Sequence, residues 1–138
     1  MACLFYFRWW LYPIPFFLSW SAIDLLPSNH KLNYGRPGVY GNRASNLILQ
    51  SSDLIISIGT RMSIPMIGYV QDEFARSAKI ISVDIDSKET KKLSKKINLK
   101  FNVDAGTFIS SLINKTRSRK SYPKSISKWI KYCNSTLK

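Results

Sequence analysis

Asp53-Leu54-Ile55-Ile56-Ser57-Ile58-Gly59-Thr60-Arg61 and Lys79-Ile80-Ile81-Ser82-Val83-Asp84-Ile85-Asp86 are the two runs that decide the fold. Each is β-branched and apolar and closes on glycine or aspartate, the composition of a strand buried on both faces of a parallel sheet. Between them, residues 72–77 read as a short helix, so the pair forms a strand–helix–strand unit. The alternation continues outward in both directions. Toward the C-terminus, Asp86 or Ser87 caps a lysine-rich helix, residues 99–103 form a further strand, and Asp104 caps a helix. In that last helix Phe108, Ile109, Leu112 and Ile113 make one apolar stripe. Toward the N-terminus, Asn42 can cap a helix over residues 43–50, where Ala44, Leu47 and Ile48 share a face. Residues 21–26 read as a short helix closed by Pro27, and Ile14-Pro15-Phe16-Phe17-Leu18-Ser19 as a first strand. Strands alternating with helices predict an α/β domain with a parallel sheet.

The 138 residues suit one domain of ordinary size with a core of its own. Two flanks lie outside the alternating pattern. Residues 1–12 are an aromatic leader, interrupted by Arg8 and bounded by Pro13 and Pro15. The prolines break a spanning helix, and Met1-Ala2-Cys3 offers no basic region of a secretory signal. A cytoplasmic protein is therefore expected, and no membrane partner. Residues 115–138 read as a basic linker, broken by Pro123, and an amphipathic helix with Ile126, Trp129, Ile130 and Cys133 at i, i+3, i+4 and i+7.

The net charge of +13 is unevenly placed. Residues 1–86 carry seven Lys/Arg and six Asp/Glu, whereas residues 87–138 carry fourteen and two. The basic half is mostly lysine, and arginine, which suits bidentate phosphate contacts, is scarce there. It reads as a solvated surface, and nucleic acid is not an expected partner. Cys3 and Cys133 sit near opposite ends, and His30 is the single histidine, so no metal site follows from spacing. His30 lies in a polar turn without a nucleophile beside it, and Asp72 and Glu73 are neighbours that point apart. No catalytic acid–base pair is expected.

In an open parallel sheet, ligands bind beyond the carboxyl ends of the strands. Three segments lie there: Gly59-Thr60-Arg61, Asp84-Ile85-Asp86 and Asp104-Ala105-Gly106. Gly59 permits close backbone approach, Arg61 can pair with phosphate, and Asp84 or Asp86 can accept from ribose hydroxyls. The competing readings are structural: Gly59 turns the chain, Arg61 forms a salt bridge, and Asp86 and Asp104 cap helices. Gly35, Gly38 and Gly41 give a loop of the form G-x-x-G-x-x-G, which differs from the dinucleotide fingerprint and does not follow a strand.

Taken in order, Pro15 to Trp20, Gly35 to Asn46, Ser52 to Arg61, Phe74 to Asp86 and Val103-Asp104-Ala105 make a specific succession. It resembles the central domain of thiamine diphosphate-dependent enzymes, closest to acetolactate synthase large-subunit-like proteins. The resemblance covers residues 13–114 and implies a three-layer, Rossmann-like parallel-sheet domain. Full-length members are carboligases or decarboxylases with three α/β domains. The first supplies an activating glutamate; the third binds thiamine diphosphate through Mg2+ with a Gly-Asp-Gly triplet, which this sequence lacks. The resemblance therefore implies a middle domain without catalytic residues, read as a fragment whose partners are flanking catalytic domains or further copies. It also implies that this domain holds FAD, as in acetolactate synthases, or, as in some relatives, ADP or no ligand. Its candidate contacts are Gly59, Thr60, Arg61, Asp84, Asp86, Asp104 and Ala105, with Gly35, Gly38 and Gly41 from the loop. Thr60 stands where acetolactate synthases often carry alanine. A stand-alone nucleotide-binding module and a basic interaction scaffold are the alternatives.

Overall fold

A computed structural model describes residues 14–92, 97–118 and 123–137. The aromatic leader and residues 119–122 of the basic linker expected from the sequence lie outside these residues. The chain divides into two compact units. One runs from Leu49 to Ser118; the other comprises the chain before Leu49 together with the C-terminal helix.

The Leu49–Ser118 unit is built on three parallel strands, β1 (Leu54–Ile58), β2 (Lys79–Asp84) and β3 (Ile97–Asn102), in the spatial order β1-β2-β3. Helices α3 (Ser87–Lys92) and α4 (Ala105–Thr116) pack on this sheet. The fold class is the α/β parallel-sheet class expected from the alternation. In the register, Ile55 pairs with Ile80 and Ser57 with Ser82, so these four share one face. All four are buried. The opposite face carries Leu54, Ile56, Ile58, Ile81, Val83, Leu99 and Phe101. Phe101 meets Phe108 of α4 there, with ring centroids 5.3 Å apart. Leu54, Ile56 and Leu99 on that face stay exposed.

Several local expectations gave way to tertiary contacts. Residues 72–77 do not form a helix; a single 3-10 turn, Gln71–Glu73, stands there. Ala75 adopts φ 42 and donates its N–H to Gln50 Oε1 at 2.6 Å, a contact that a continuous helix would forbid. The helix at 21–26 shrinks to the 3-10 turn Trp20–Ala22. A short helix not expected from the sequence, α2 (Ile64–Ile67), is bracketed by Pro65 in its first turn and by Gly68 at φ 85. Strand β3 begins at Ile97, before the expected residue 99.

In the other unit, the expected first strand does not extend into a ladder. It forms one parallel bridge, Phe16 with Asn33. Phe16 N donates to the Leu32 carbonyl, Tyr34 N to the Phe16 carbonyl, and Leu18 N to the Gly35 carbonyl. Pro15 has no N–H, which leaves the segment short of donors for longer pairing. The core here is Tyr34, Ile48 and Cys133, with Phe17 and Trp129 packed against it. Helix α1 (Arg43–Gln50) contributes Ile48, and α5 (Lys124–Thr136) contributes Trp129 and Cys133. The Tyr34 hydroxyl donates to Asn134 Oδ1 at 2.7 Å, so the buried ring keeps a polar anchor.

Candidate functional site at the strand ends

Four hydrogen bonds and one close approach gather the chain at the carboxyl ends of the strands. Gly59, just beyond β1, donates its N–H to the Val83 carbonyl of β2 at 2.8 Å. Asn102, the last residue of β3, sends its Nδ2 to the carbonyls of Asp84 (2.9 Å) and Ile85 (2.7 Å). A Cβ built on Gly59 would lie 3.9 Å from the Ala105 Cβ, so the start of α4 stands next to the end of β1. Arg61 Nε donates to Glu89 Oε1 of α3 at 3.2 Å. The strand-end candidates therefore gather at one end of the sheet, with Thr60 half-buried between Gly59 and Arg61.

Each of these side chains also has local work. Gly59 adopts φ 59, in the left-handed region, which lets the chain leave β1 sharply. Asp84 Oδ1 accepts from the Asp86 N–H at 2.9 Å, and Asp86 Oδ1 accepts from the Lys88 N–H at 2.8 Å. Asp104 is the N-cap of α4, its Oδ1 accepting from the Thr107 N–H at 2.9 Å. In each aspartate the second carboxylate oxygen has no protein partner among the described residues. Arg61 has one partner among them, Glu89, and its two terminal nitrogens are unpaired. The Arg61 side chain is 78% exposed, the Glu89 side chain 10%. Lys92 Nζ holds both Glu89 oxygens, at 2.6 and 2.7 Å. That hydrogen bond is the main reason the Glu89 carboxyl lies below its ordinary range; partial burial opposes it and Arg61 adds to it.

Sequence reasoning missed Asn102 and Glu89. Both carried a signal: Asn102 is a polar residue closing a strand, and Glu89 is the lone acid in the run Lys88-Glu89-Thr90-Lys91-Lys92.

The glycine loop belongs to the other unit. The N–H groups of its three glycines, and two others, are already partnered: Gly35 donates to Asn33 Oδ1, Arg36 to Asn42 Oδ1, Gly38 to Asn46 Oδ1, Gly41 to the Gly38 carbonyl, and Asn42 to the Arg36 carbonyl. Asn46 Nδ2 returns a bond to the Gly38 carbonyl at 3.0 Å, and the Ser45 hydroxyl donates to the Tyr34 carbonyl. Arg36 lies over the Trp20 ring, 4.9 Å from its centroid. A Cβ on Gly41 would fall 2.1 Å from the Arg36 carbonyl oxygen, so this position admits glycine alone without a backbone shift. His30 stays within its turn, where Nδ1 accepts from the Leu32 N–H at 3.3 Å.

The family model described as "Thiamine pyrophosphate enzyme, central domain" matches residues 11–112. The chain belongs to that family. It is 36% identical over 119 residues to the acetolactate synthase large subunit of Corynebacterium glutamicum, covering 86% of this chain and 19% of that protein. It is likewise 36% identical over 100 residues to the acetolactate synthase isozyme 1 large subunit of Escherichia coli K12, covering 72% and 17%. An acetolactate synthase of Mycobacterium bovis is 41% identical over 76 residues, covering 55% and 12%. The chain thus spans a fifth or less of the length of these relatives.

Membership of this family implies thiamine diphosphate with Mg2+ in the longer protein. No group of three or more His, Cys, Asp or Glu side chains gathers as a metal cluster among the described residues, and the sequence holds no Gly-Asp-Gly. The described donor set therefore does not fit a magnesium-bound diphosphate. Among the described residues, the strand ends do offer free polar atoms of another kind: two terminal nitrogens on Arg61 and one carboxylate oxygen on each of Asp84, Asp86 and Asp104. No helix among the described residues is long and apolar enough to cross a membrane.

Proposed function

We propose that this chain is the nucleotide-holding central domain of an acetolactate synthase-like, thiamine diphosphate-dependent enzyme, and that the strand ends of the Leu49–Ser118 unit take FAD or ADP. The observation that carries this reading is Arg61, two residues beyond Gly59, whose guanidinium is exposed with its terminal nitrogens unpaired among the described residues. Arg61 would pair with a phosphate, and Asp84 and Asp86 would accept from ribose hydroxyls through the oxygens that their turns leave unused. Gly59, Thr60 and Ala105 would form the wall along which the backbone meets the ligand, and Asp104 would border it while capping α4. FAD in this position would serve structure rather than redox chemistry. Gly35, Gly38 and Gly41 shape their own loop on this reading and donate nothing to phosphate, because their N–H groups are spent.

The parent reaction, carboligation or decarboxylation of 2-oxo acids with thiamine diphosphate and Mg2+, would belong to the longer protein. Its flanking catalytic domains or further copies of the chain would be the partners, in the cytoplasm. The exposed apolar residues Leu54, Ile56 and Leu99 support a larger assembly, since parallel sheets are normally covered on both faces.

Calorimetric titration of the 138-residue chain with ADP and with FAD tests the nucleotide reading. A charge-assisted hydrogen bond contributes about 1.5–3 kcal/mol net, so Arg61→Ala is expected to weaken binding by roughly ten- to a hundredfold. Unchanged affinity in a folded Arg61→Ala variant would remove Arg61 from the site. Absence of binding by the parent chain would overturn the nucleotide reading itself.

A further inference from the structure

We propose that Glu89 is a positioning residue for the nucleotide phosphate: it grips Arg61 at the inner nitrogen and so presents the outer two to the ligand. This rests on the reading of Arg61 as the phosphate contact. A guanidinium has five N–H donors in a planar fork, and the single Nε donor lies on the stem side of that fork. Glu89 Oε1 takes this one, at 3.2 Å, and takes neither terminal nitrogen. A carboxylate acting as a plug in the phosphate's place would engage the terminal nitrogens, which together can take two phosphate oxygens at once. The contact here leaves them open.

Two further features make Glu89 a fixed post rather than a loose partner. Lys92 bonds both of its oxygens, and the Glu89 side chain is nearly covered, whereas Arg61 reaches into solvent. The lysine also offsets the carboxylate's charge, which lowers its repulsion of an arriving phosphate. On the chain side, Met62 directly after Arg61 is buried and adopts φ 44, so the backbone carrying the arginine is set as well. A long side chain held at its stem and at its backbone has less rotamer freedom left to lose when the ligand binds.

The experiment is a double-mutant cycle on the full 138-residue chain, titrated with ADP by calorimetry and checked for cooperative unfolding. Immobilising one rotamer-rich side chain accounts for roughly a three- to tenfold change in affinity, and Glu89→Ala is expected to weaken ADP binding by that factor. Glu89→Gln, whose amide oxygen still accepts from Nε, is expected to keep most of the parent affinity and serves if the alanine variant fails to fold. In an Arg61→Ala background, Glu89→Ala is expected to change nothing, because Glu89 acts through Arg61. A purely structural role would add a further loss in that background, and this result would overturn the proposal. So would unchanged or tighter binding in Glu89→Ala; if Arg61→Ala still weakens ADP, the site reading survives that outcome. Failure of the parent chain to bind ADP removes both.

Discussion

Two glycines that look alike in the sequence have different reasons to be glycine. At Gly41 the constraint is space, since a methyl group would sit 2.1 Å from the Arg36 carbonyl oxygen and 2.8 Å from the Pro37 carbonyl carbon. At Gly59 the space is free, the nearest atom being the Ala105 Cβ at 3.9 Å, and the constraint is φ 59. Gly59→Ala is expected to cost about 1 kcal/mol, the penalty of a left-handed L-residue. Gly41→Ala is expected to cost about 1–3 kcal/mol, because backbone must move. Urea unfolding followed by circular dichroism ranks the two; a Gly41→Ala cost below that of Gly59→Ala would show that the loop yields easily. Asp104 carries a third residue-scale expectation. Replacing it by alanine frees the Thr107 N–H and is expected to cost about 1 kcal/mol through the cap alone, before any ligand is added.

Within β1 and β2, the buried face alternates large and small: Ile55 and Ile80 side by side, then Ser57 and Ser82. Ser57 Oγ is buried without a hydrogen-bond partner among the described residues. A buried hydroxyl left unsatisfied costs free energy, so Ser57→Ala is expected to be neutral or stabilising by up to about 1 kcal/mol. Ile80, which is fully buried at the centre of the sheet, behaves in the opposite way. Ile80→Ala is expected to cost about 2–5 kcal/mol, from lost burial and the cavity left behind. Thermal unfolding of the two variants measures both signs. Destabilisation by Ser57→Ala would mean that the hydroxyl has a partner, such as an ordered water, in solution.

At the scale of the whole molecule, pH separates the two units. Burial pushes the Cys133 thiol up from 9.0 to about 11, and raises Tyr34 beside it, with Cys133 adding to the effect. An acid whose folded pKa lies above its unfolded one contributes stability below the unfolded value and loses it as pH rises through the folded one. The core of Tyr34, Ile48 and Cys133 is therefore expected to weaken between pH 9 and 11, while the described residues of the Leu49–Ser118 unit bury no tyrosine or cysteine. Tryptophan fluorescence against urea in a variant that keeps Trp129 and replaces Trp9, Trp10 and Trp20 by phenylalanine, repeated across that range, is the measurement, and Cys133→Ala is expected to flatten the dependence. A second expectation at this scale is chemical: the 138-residue chain, given pyruvate, thiamine diphosphate and Mg2+, produces no acetolactate. The described carboxylates do not cluster for a metal, and turnover by this chain alone would overturn that expectation.

What the sequence by itself determined is what rests on composition and local chemistry. The β-branched runs at Leu54–Ile58 and Lys79–Asp84 became strands, Asp104 became a cap, and the stripe Trp129 to Cys133 turned inward, because burial and capping are dictated within a few residues. Partner-dependent features were not legible there. Ala75 left the helical path because its N–H bonds to Gln50, twenty-five positions away. Phe16 pairs with Asn33 across a loop instead of joining the sheet. At the strand ends, Arg61 and the aspartates were visible as residue types, but not Asn102 as a clamp on the Asp84 and Ile85 carbonyls, nor Glu89 as the anchor of Arg61. Those roles exist only once the strands lie parallel and bring separate stretches of chain within hydrogen-bonding distance, which no local pattern encodes.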